Sequence, residues 1–178
     1  MLSTGWALCD SDRKTALRVA ELLEIQDGSV IADVGAGEGR WTVELAQLVG
    51  QRGRVIATEV DDGEMKKLKR KARDYDNISF VMGDQKRTGL EAGCCDAIHL
   101  RHVYHHFKKP KAMQAELLKA LKPGRLIAVI DFAPDDRHGI RAEKMQQEMT
   151  QAGFEFVERV DQWEGRSSRY LLLFRRPF

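Results

Sequence analysis

The sequence predicts an α/β sandwich built on a mainly parallel sheet, and three observations lead there. An apolar run at residues 30–34 breaks into Gly35, Gly37 and Gly39 and then resumes a helical pattern at Trp41, the way a buried strand passes through a tight turn into a helix. Strand-like and helix-like segments then alternate as far as residue 132, an order that folds as parallel strands joined by crossover helices. Two further strand-like runs, 154–160 and 169–175, follow one last helix and close the pattern as a pair.

Asp10, Ser11 and Asp12 supply N-cap candidates for a helix over residues 13–24, in which Ala16, Leu17, Val19, Ala20 and Leu23 form an apolar stripe. The first strand covers 30–34 and its helix 41–49, after which Gly50 to Gly53 turn the chain. The second strand, 54–60, carries Glu59 near its carboxyl end, and the helix of 62–74 behind it is basic on its outer face. The third strand is 78–82, entered through Asp76-Asn77 and left through Gly83-Asp84. The fourth, 96–100, runs into the polar-aromatic stretch Arg101-His102-Val103-Tyr104-His105-His106-Phe107. An amphipathic helix over 110–121 turns Met113, Leu117, Leu118 and Leu121 inward and stops at Lys122-Pro123-Gly124. The fifth strand is 125–132, and a polar loop at 133–139 with Asp135, Asp136, Arg137 and His138 leaves its carboxyl end. A helix over 141–152 precedes the closing pair, where Leu171-Leu172-Leu173-Phe174 reads as buried on both faces.

A length of 178 residues suits one domain over 1–178 with a full core. The hydrophobic fraction of 43% and charged fraction of 31% are those of a soluble protein, and no apolar run approaches the ~18 residues of a membrane span. Residues 1–12 lack a basic segment leading into an apolar one, so cytoplasmic residence is the expectation. With 29 basic against 27 acidic residues the net charge is +2, which is no electrostatic footprint for nucleic acid. The basic cluster Lys66-Lys67-Leu68-Lys69-Arg70-Lys71 reads as a solvated helix face. Cys9, Cys94 and Cys95 are too few for a disulfide framework. The adjacent pair precedes the fourth strand, one strand length of ~17–20 Å from any loop at its other end, so thiol chemistry is not expected.

The turn after the first strand offers unpaired N–H groups at a helix start and suits an anionic or electron-rich ligand. A dinucleotide fingerprint would place its third glycine at position 40, where the chain has Arg40. The stretch Asp33-Val34-Gly35-Ala36-Gly37-Glu38-Gly39 instead resembles the first motif of class I S-adenosylmethionine (SAM) dependent methyltransferases, and the resemblance extends over nearly the whole chain. Leu121-Lys122-Pro123-Gly124 is a further landmark of that family, although many members have a second glycine where this chain has Arg125. The resemblance implies a Rossmann-like three-layer sandwich whose mainly parallel seven-stranded sheet admits one antiparallel strand. It implies SAM as cofactor and S-adenosylhomocysteine (SAH) as product; the sequence does not identify the acceptor, and a small molecule is the expectation.

Carried over residue by residue, the resemblance makes Asp33 a holder of the methionine ammonium group, with Gly35, Ala36, Gly37 and Gly39 letting the backbone approach the ligand. Glu59 stands twenty residues beyond Gly39, the spacing of a ribose-binding acid, with Val60 beside it; dinucleotide sites share that feature. Asp84, with Gln85 next to it, matches the position that accepts from the adenine amine. Arg101 joins the cofactor set and is also available to pair an acidic substrate. Tyr104, His105 and His106 border the methyl group and acceptor, and His105 has the titration range of a base at neutral pH. Plainer readings compete at each point: Glu59 as a helix cap, Asp84 as a turn residue, the histidines as caps of the next helix. His102, His105 and His106 have metal-like spacing, yet no cysteine or carboxylate is close in sequence and no metal is expected. The competing functions are a nicotinamide-dependent oxidoreductase, against which Arg40 argues, and a non-catalytic SAM-binding or regulatory module. An Asn-Pro-Pro-Tyr type motif is absent, so no nucleic-acid partner is expected.

Overall fold

The structure, a computed structural model, describes residues 4–134 and 138–178, with side chains from residue 13 onward. Its strands are β1 (Val30–Val34), β2 (Arg54–Glu59), β3 (Ile78–Met82), β4 (Cys95–Arg101), β5 (Leu121–Phe132), β6 (Glu155–Asp161) and β7 (Arg169–Arg175). Helices α1 (Thr4–Leu22), α2 (Arg40–Val49), α3 (Asp62–Lys71), α4 (Pro110–Ala120) and α5 (Ala142–Gln151) alternate with them. One seven-stranded sheet results, in the order β3-β2-β1-β4-β5-β7-β6. All neighbours run parallel except β7, which lies antiparallel to β5 on one side and to β6 on the other. The antiparallel strand implied by the family resemblance is therefore present, inserted one place in from the edge.

Alternation of side chains along each strand feeds two cores, one on each face of the sheet. Leu171 and Leu173 pack with α1, α2 and α3 residues such as Val19, Leu45 and Leu68. Leu172 and Phe174 pack on the opposite face with Leu117, Met145 and Met149 of α4 and α5. β7 is thus buried on both faces, as its unbroken apolar run predicts.

Several predicted boundaries move. Helix α1 begins at Thr4, so Asp10, Ser11 and Asp12 lie within it and do not cap it. In its stripe Ala16, Val19, Ala20 and Leu23 are buried, but Leu17 is exposed at 41% because the stripe is narrower than predicted. Leu121 belongs to β5, pairing with Cys95 before an irregularity between Cys95 and Ala97. Lys122-Pro123-Gly124 therefore sits inside a distorted strand start. Cys95 opens β4 and is fully buried, which keeps the cysteine pair at the sheet edge opposite the one reached by Arg101. Cys9 and residues 135–137 of the predicted polar loop lie outside what the structure describes at side-chain level. Among the described residues no helix is long and apolar enough to cross a membrane.

Candidate functional site

Parallel strands β1, β2 and β4 deliver their carboxyl ends to one edge, with β1 central, so the glycine turn meets the ends of its two neighbours. The backbone N–H groups of Gly35 and Ala36 both donate to the Thr58 carbonyl at 3.0 Å, which fastens the turn to β2. Gly37 N–H donates to Glu59 Oε2 at 2.8 Å, while Glu59 Oε1 accepts from Val60 N–H at 2.7 Å and Asp61 N–H at 3.2 Å. The helix-cap reading of Glu59 fails, because Asp61 caps α3 by accepting from Glu64 N–H at 2.8 Å.

The three glycines adopt φ of 71°, 55° and 84°, a region costly for residues with a Cβ, but their surroundings differ. A Cβ on Gly35 would collide with the side chain of Val103, and one on Gly39 with that of buried Leu68. A Cβ on Gly37 would meet nothing within 4 Å. Gly35 and Gly39 are therefore required by packing, and only Gly37 leaves open space for a ligand. Gly39, expected in the cofactor set, lines neither cavity beside the turn; it stands at the N-cap of α2 and lets α3 approach. Gly39→Ala should cost about 1–3 kcal/mol of stability from strain and overpacking, read as a lower urea midpoint, with SAM affinity changed far less.

Two cavities flank this turn and both include Gly35 in their walls. One, of about 350 Å³, is lined by Asp33, Ala36, Gly37, Trp41, His99 and Arg101 among others. The other, of about 300 Å³, is lined by Glu59, Val60, Asp84, Gln85, Val103 and His106 among others. The structure thus gathers most of the predicted cofactor residues around one turn. Val60, 58% exposed, gives the second cavity an apolar wall suited to a base or sugar face. Asp84 lies at its rim but commits its carboxylate to its own loop. Oδ1 accepts from Lys86 N–H (2.7 Å) and Arg87 N–H (2.8 Å), and Oδ2 pairs with the Arg87 guanidinium at 2.9 Å. These donors hold its carboxyl below the ordinary aspartate range, the Lys86 backbone bond being the largest cause. A larger cavity of about 730 Å³ lies between α4 and α5 and holds none of the predicted residues.

Asp33 is nearly buried, 3% exposed, and both its oxygens have protein partners. Thr42 Oγ1 donates to Oδ2 at 2.6 Å, and Nδ1 of His99 lies 3.1 Å from Oδ1. Residues 33 and 99 stand side by side in the β1–β4 register, and the His99 ring stacks on Trp41 at 4.9 Å with 10° between planes. Two residues further along β4, on the same face, the Arg101 guanidinium sits 5.1 Å from the Trp41 ring centre. It also pairs with Glu164 at 3.3 Å, and Glu164 in turn pairs with Arg169. The expectation that Arg101 is available to an acidic substrate is revised, since the loop between β6 and β7 already supplies its carboxylate. Sequence reasoning missed His99. A usable signal exists: a polar residue inside the apolar run Ala97-Ile98-His99-Leu100.

The acceptor-side stretch leaves β4 through His102, a non-glycine residue at φ 55° whose N–H donates to the Ile130 carbonyl at 2.8 Å. Burial, reinforced by Arg101 and Arg169, pushes its imidazole down to about 3, so it is neutral at physiological pH. A single 3-10 turn, Tyr104–His106, follows. Tyr104 lines neither cavity beside the glycine turn. Its ring is buried in the α4–α5 core, and its hydroxyl donates to Glu148 at 2.8 Å and accepts from Gln114. Burial, then the Glu148 bond, raise its phenol above the ordinary range. His105 is tied to Asp131, a fully buried acid at the end of β5 that sequence reasoning also missed. Its Nδ1 is 2.8 Å from Oδ1, and its N–H donates to Oδ2 at 3.3 Å. Burial raises the Asp131 carboxyl above the aspartate range while His105 works against that rise. The rings of His106 and His138 lie 3.9 and 6.2 Å from that of His105. His106 is the one of the pair that reaches the second cavity, and burial with its neighbours lowers its imidazole below the ordinary histidine range. Among the described residues no group of three or more histidine, cysteine or acidic side chains is arranged to hold a metal ion.

Comparison with known proteins bears on this arrangement. Residues 31–124, more than half of the chain, match the family described as Methyltransferase domain. A demethylmenaquinone methyltransferase of Staphylococcus saprophyticus is 30% identical over 114 residues, 64% of this chain and 49% of that protein. The sterol 24-C-methyltransferase of Saccharomyces cerevisiae is 31% identical over 117 residues, 64% of this chain and 30% of that protein. The chain thus spans half or less of the length of these curated relatives. Among solved structures, a SAM dependent methyltransferase from Aquifex aeolicus superposes with a TM-score of 0.79 at 20% identity, covering 90% of this chain and 89% of that one. The [4+2]-cyclase SpnF superposes at 0.80 with 18% identity, covering 93% and 81%. Likeness at that level establishes the fold alone, which the cyclase shows is open to other chemistry. The sequence match covers strands β1 to β4, with the glycine turn and the acids at their ends, and on that ground the chain belongs to the class I methyltransferase domain family.

Proposed function

We propose that the protein binds SAM across the two cavities and transfers its methyl group to a small-molecule acceptor that must lose a proton. One observation carries the cofactor half of this reading. Gly35 stands in the walls of both cavities, one lined also by the buried Asp33–His99 pair and the other by Glu59 and Asp84. That is the donor and acceptor set needed by a ligand with an amino-acid arm on one side and a nucleoside on the other. The residues present fit such a ligand: the space over Gly37 is open, and the Glu59 carboxylate, which accepts from Gly37 N–H, is an acceptor suited to ribose hydroxyls. SAM supplies a sulfonium-bound, electrophilic methyl group; the protein's task is to position an acceptor in line with it and to take a proton where the acceptor carries one.

His105 is the proposed base, held in orientation through Nδ1 by Asp131. Only 5% of its side chain is exposed, and the rings of His106, Phe132 and His138 stand around it. Phe132, 4.8 Å from the His105 ring, and Phe107, in the wall of the second cavity, supply apolar surface on this side of the site. The relatives named for demethylmenaquinone and for sterol carbon 24 suggest a largely apolar acceptor, which those walls suit. The two cores share a single sheet, which supports reading residues 1–178 as one domain.

Calorimetry with SAM and SAH, followed by methyl-transfer assays over neutral phenols, ring carbons, amines and thiols, tests the proposal. Binding of SAM with no transfer to any of them would favour the non-catalytic module, and stabilisation by NAD instead of SAM would restore the oxidoreductase. Glu59→Gln should weaken SAM, SAH and methylthioadenosine alike, each by about tenfold or more, since all contain the ribose and a charged acceptor is lost. Unequal losses among the three would remove Glu59 from the ribose site.

A further inference from the structure

The amino-acid end of the first cavity holds a group with no assigned partner. His99 is fully buried, its ring plane fixed against Trp41, and Nε2 has no hydrogen-bond partner among the described residues. A buried polar nitrogen left unpaired is costly, and His99 is one of the residues lining the cavity, where a ligand can complete the bonding. The chemistry of that ligand follows from the other ring nitrogen. Carboxylate oxygens accept, so Nδ1 carries the hydrogen shared with Asp33 Oδ1 at 3.1 Å, and a neutral ring then presents Nε2 as a lone pair. Asp33 itself is already engaged on both oxygens, by His99 and by Thr42. The same cavity has Arg40 and Arg101 in its lining, already paired with Glu38 and Glu164; the lone pair of His99 is the group there suited to a cation that donates hydrogen bonds.

Resting on the SAM reading above, we propose that His99 Nε2 accepts a hydrogen bond from the α-ammonium group of the methionine arm. Asp33 then acts through His99, fixing its tautomer and raising its strength as an acceptor, and Trp41 holds the ring at the required angle. The role expected of Asp33 from the family resemblance is shared in this chain with a neighbour one strand away. His99 becomes a determinant of selectivity for ligands that carry the amino group over those that do not.

Titration calorimetry on His99→Asn tests this with three ligands: SAH, its desamino analogue, which keeps the carboxylate, and methylthioadenosine, which lacks the whole amino-acid arm. Asparagine can keep a donor on Asp33 but places nothing at the Nε2 position. The expected result is a tenfold to hundredfold loss of SAH affinity, with the other two ligands within about twofold of wild type. His99→Val, which also removes the Asp33 bond, should reproduce the pattern wherever it folds. Unchanged SAH affinity in folded His99→Asn overturns the proposal, and so does an equal loss of all three ligands. A parallel loss of SAH and the desamino analogue would assign Nε2 to the carboxylate and overturn the ammonium contact. Failure of the wild-type protein to bind either SAH or methylthioadenosine would overturn the SAM reading and this proposal together.

Discussion

Gly37→Val should abolish detectable SAM binding, a loss of at least a hundredfold, while the protein still folds. Among the described residues nothing beyond the chain neighbours lies within 4 Å of where the new Cβ would sit, so the fold admits the Cβ, and the valine methyl groups would occupy the proposed ligand's space. The fold does bear a cost, because φ at this position is 55° and a β-branched residue there is strained by about 1–2 kcal/mol. For a chain of this length that is a fall of about 2–8 °C in Tm. Calorimetry and a thermal melt on one sample separate the two effects. Retained SAM affinity in folded Gly37→Val would take the turn out of the site. The opposite pattern expected at Gly39, with stability falling and binding nearly intact, would show that glycines two residues apart have different reasons to be glycine.

His105→Ala should lower kcat by about 10²–10⁴ with a neutral, protonated acceptor, the range for loss of a general base. SAM affinity should hold, because His105 is not in the wall of either cavity beside the glycine turn. Asp131 would lose its imidazole partner but still accept from the N–H groups of Phe132 and residue 105, so the fold should survive. With an acceptor already ionised at the assay pH the loss should shrink to a few-fold. Asp131→Asn should follow the same acceptor dependence with a smaller loss, since it disturbs the orientation of the ring and leaves the ring itself. A loss of equal size for ionised and protonated acceptors would make His105 a structural residue. A larger loss in His106→Ala would move the base to the neighbour that reaches the cavity.

The strands, the helices and the ligand turn were legible in the sequence because each is written locally, in an apolar run, a glycine spacing or a proline and glycine stop. Glu59 was legible for the same reason, an acid at the end of a strand at a recognisable distance from the glycines. Asp131 carries the same sign at the end of β5 and was passed over, because the fifth strand falls outside the spacing that draws attention to Glu59. His99 could not be assigned from local pattern. Its meaning depends on β1 lying next to β4, sixty-six positions away in the chain, and on a register that sets it beside Asp33. The direction of Tyr104 was not legible, because a 3-10 turn sends adjacent side chains in different directions, one toward Glu148 and the next toward Asp131. Arg101 was misread for want of its partner, since Glu164 reaches it from a loop 63 residues later.

The place of β7 in the sheet also sets an order of events during synthesis. Among the described residues β6 pairs with β7 alone, so it leaves the ribosome before it has a strand to pair with. Until Arg169–Arg175 emerges, β5 presents an unpaired edge, and Ile127 and Val129 lack their eventual neighbours Phe174 and Leu172. At about 5–20 residues per second, the interval from the end of β5 to the end of β7 is a few seconds of exposed apolar edge. Such pairings, distant in sequence, are slow and aggregation-exposed steps. A nascent chain of this protein therefore reaches its most vulnerable form late, and the strand that ends that exposure is the last of the seven to be made.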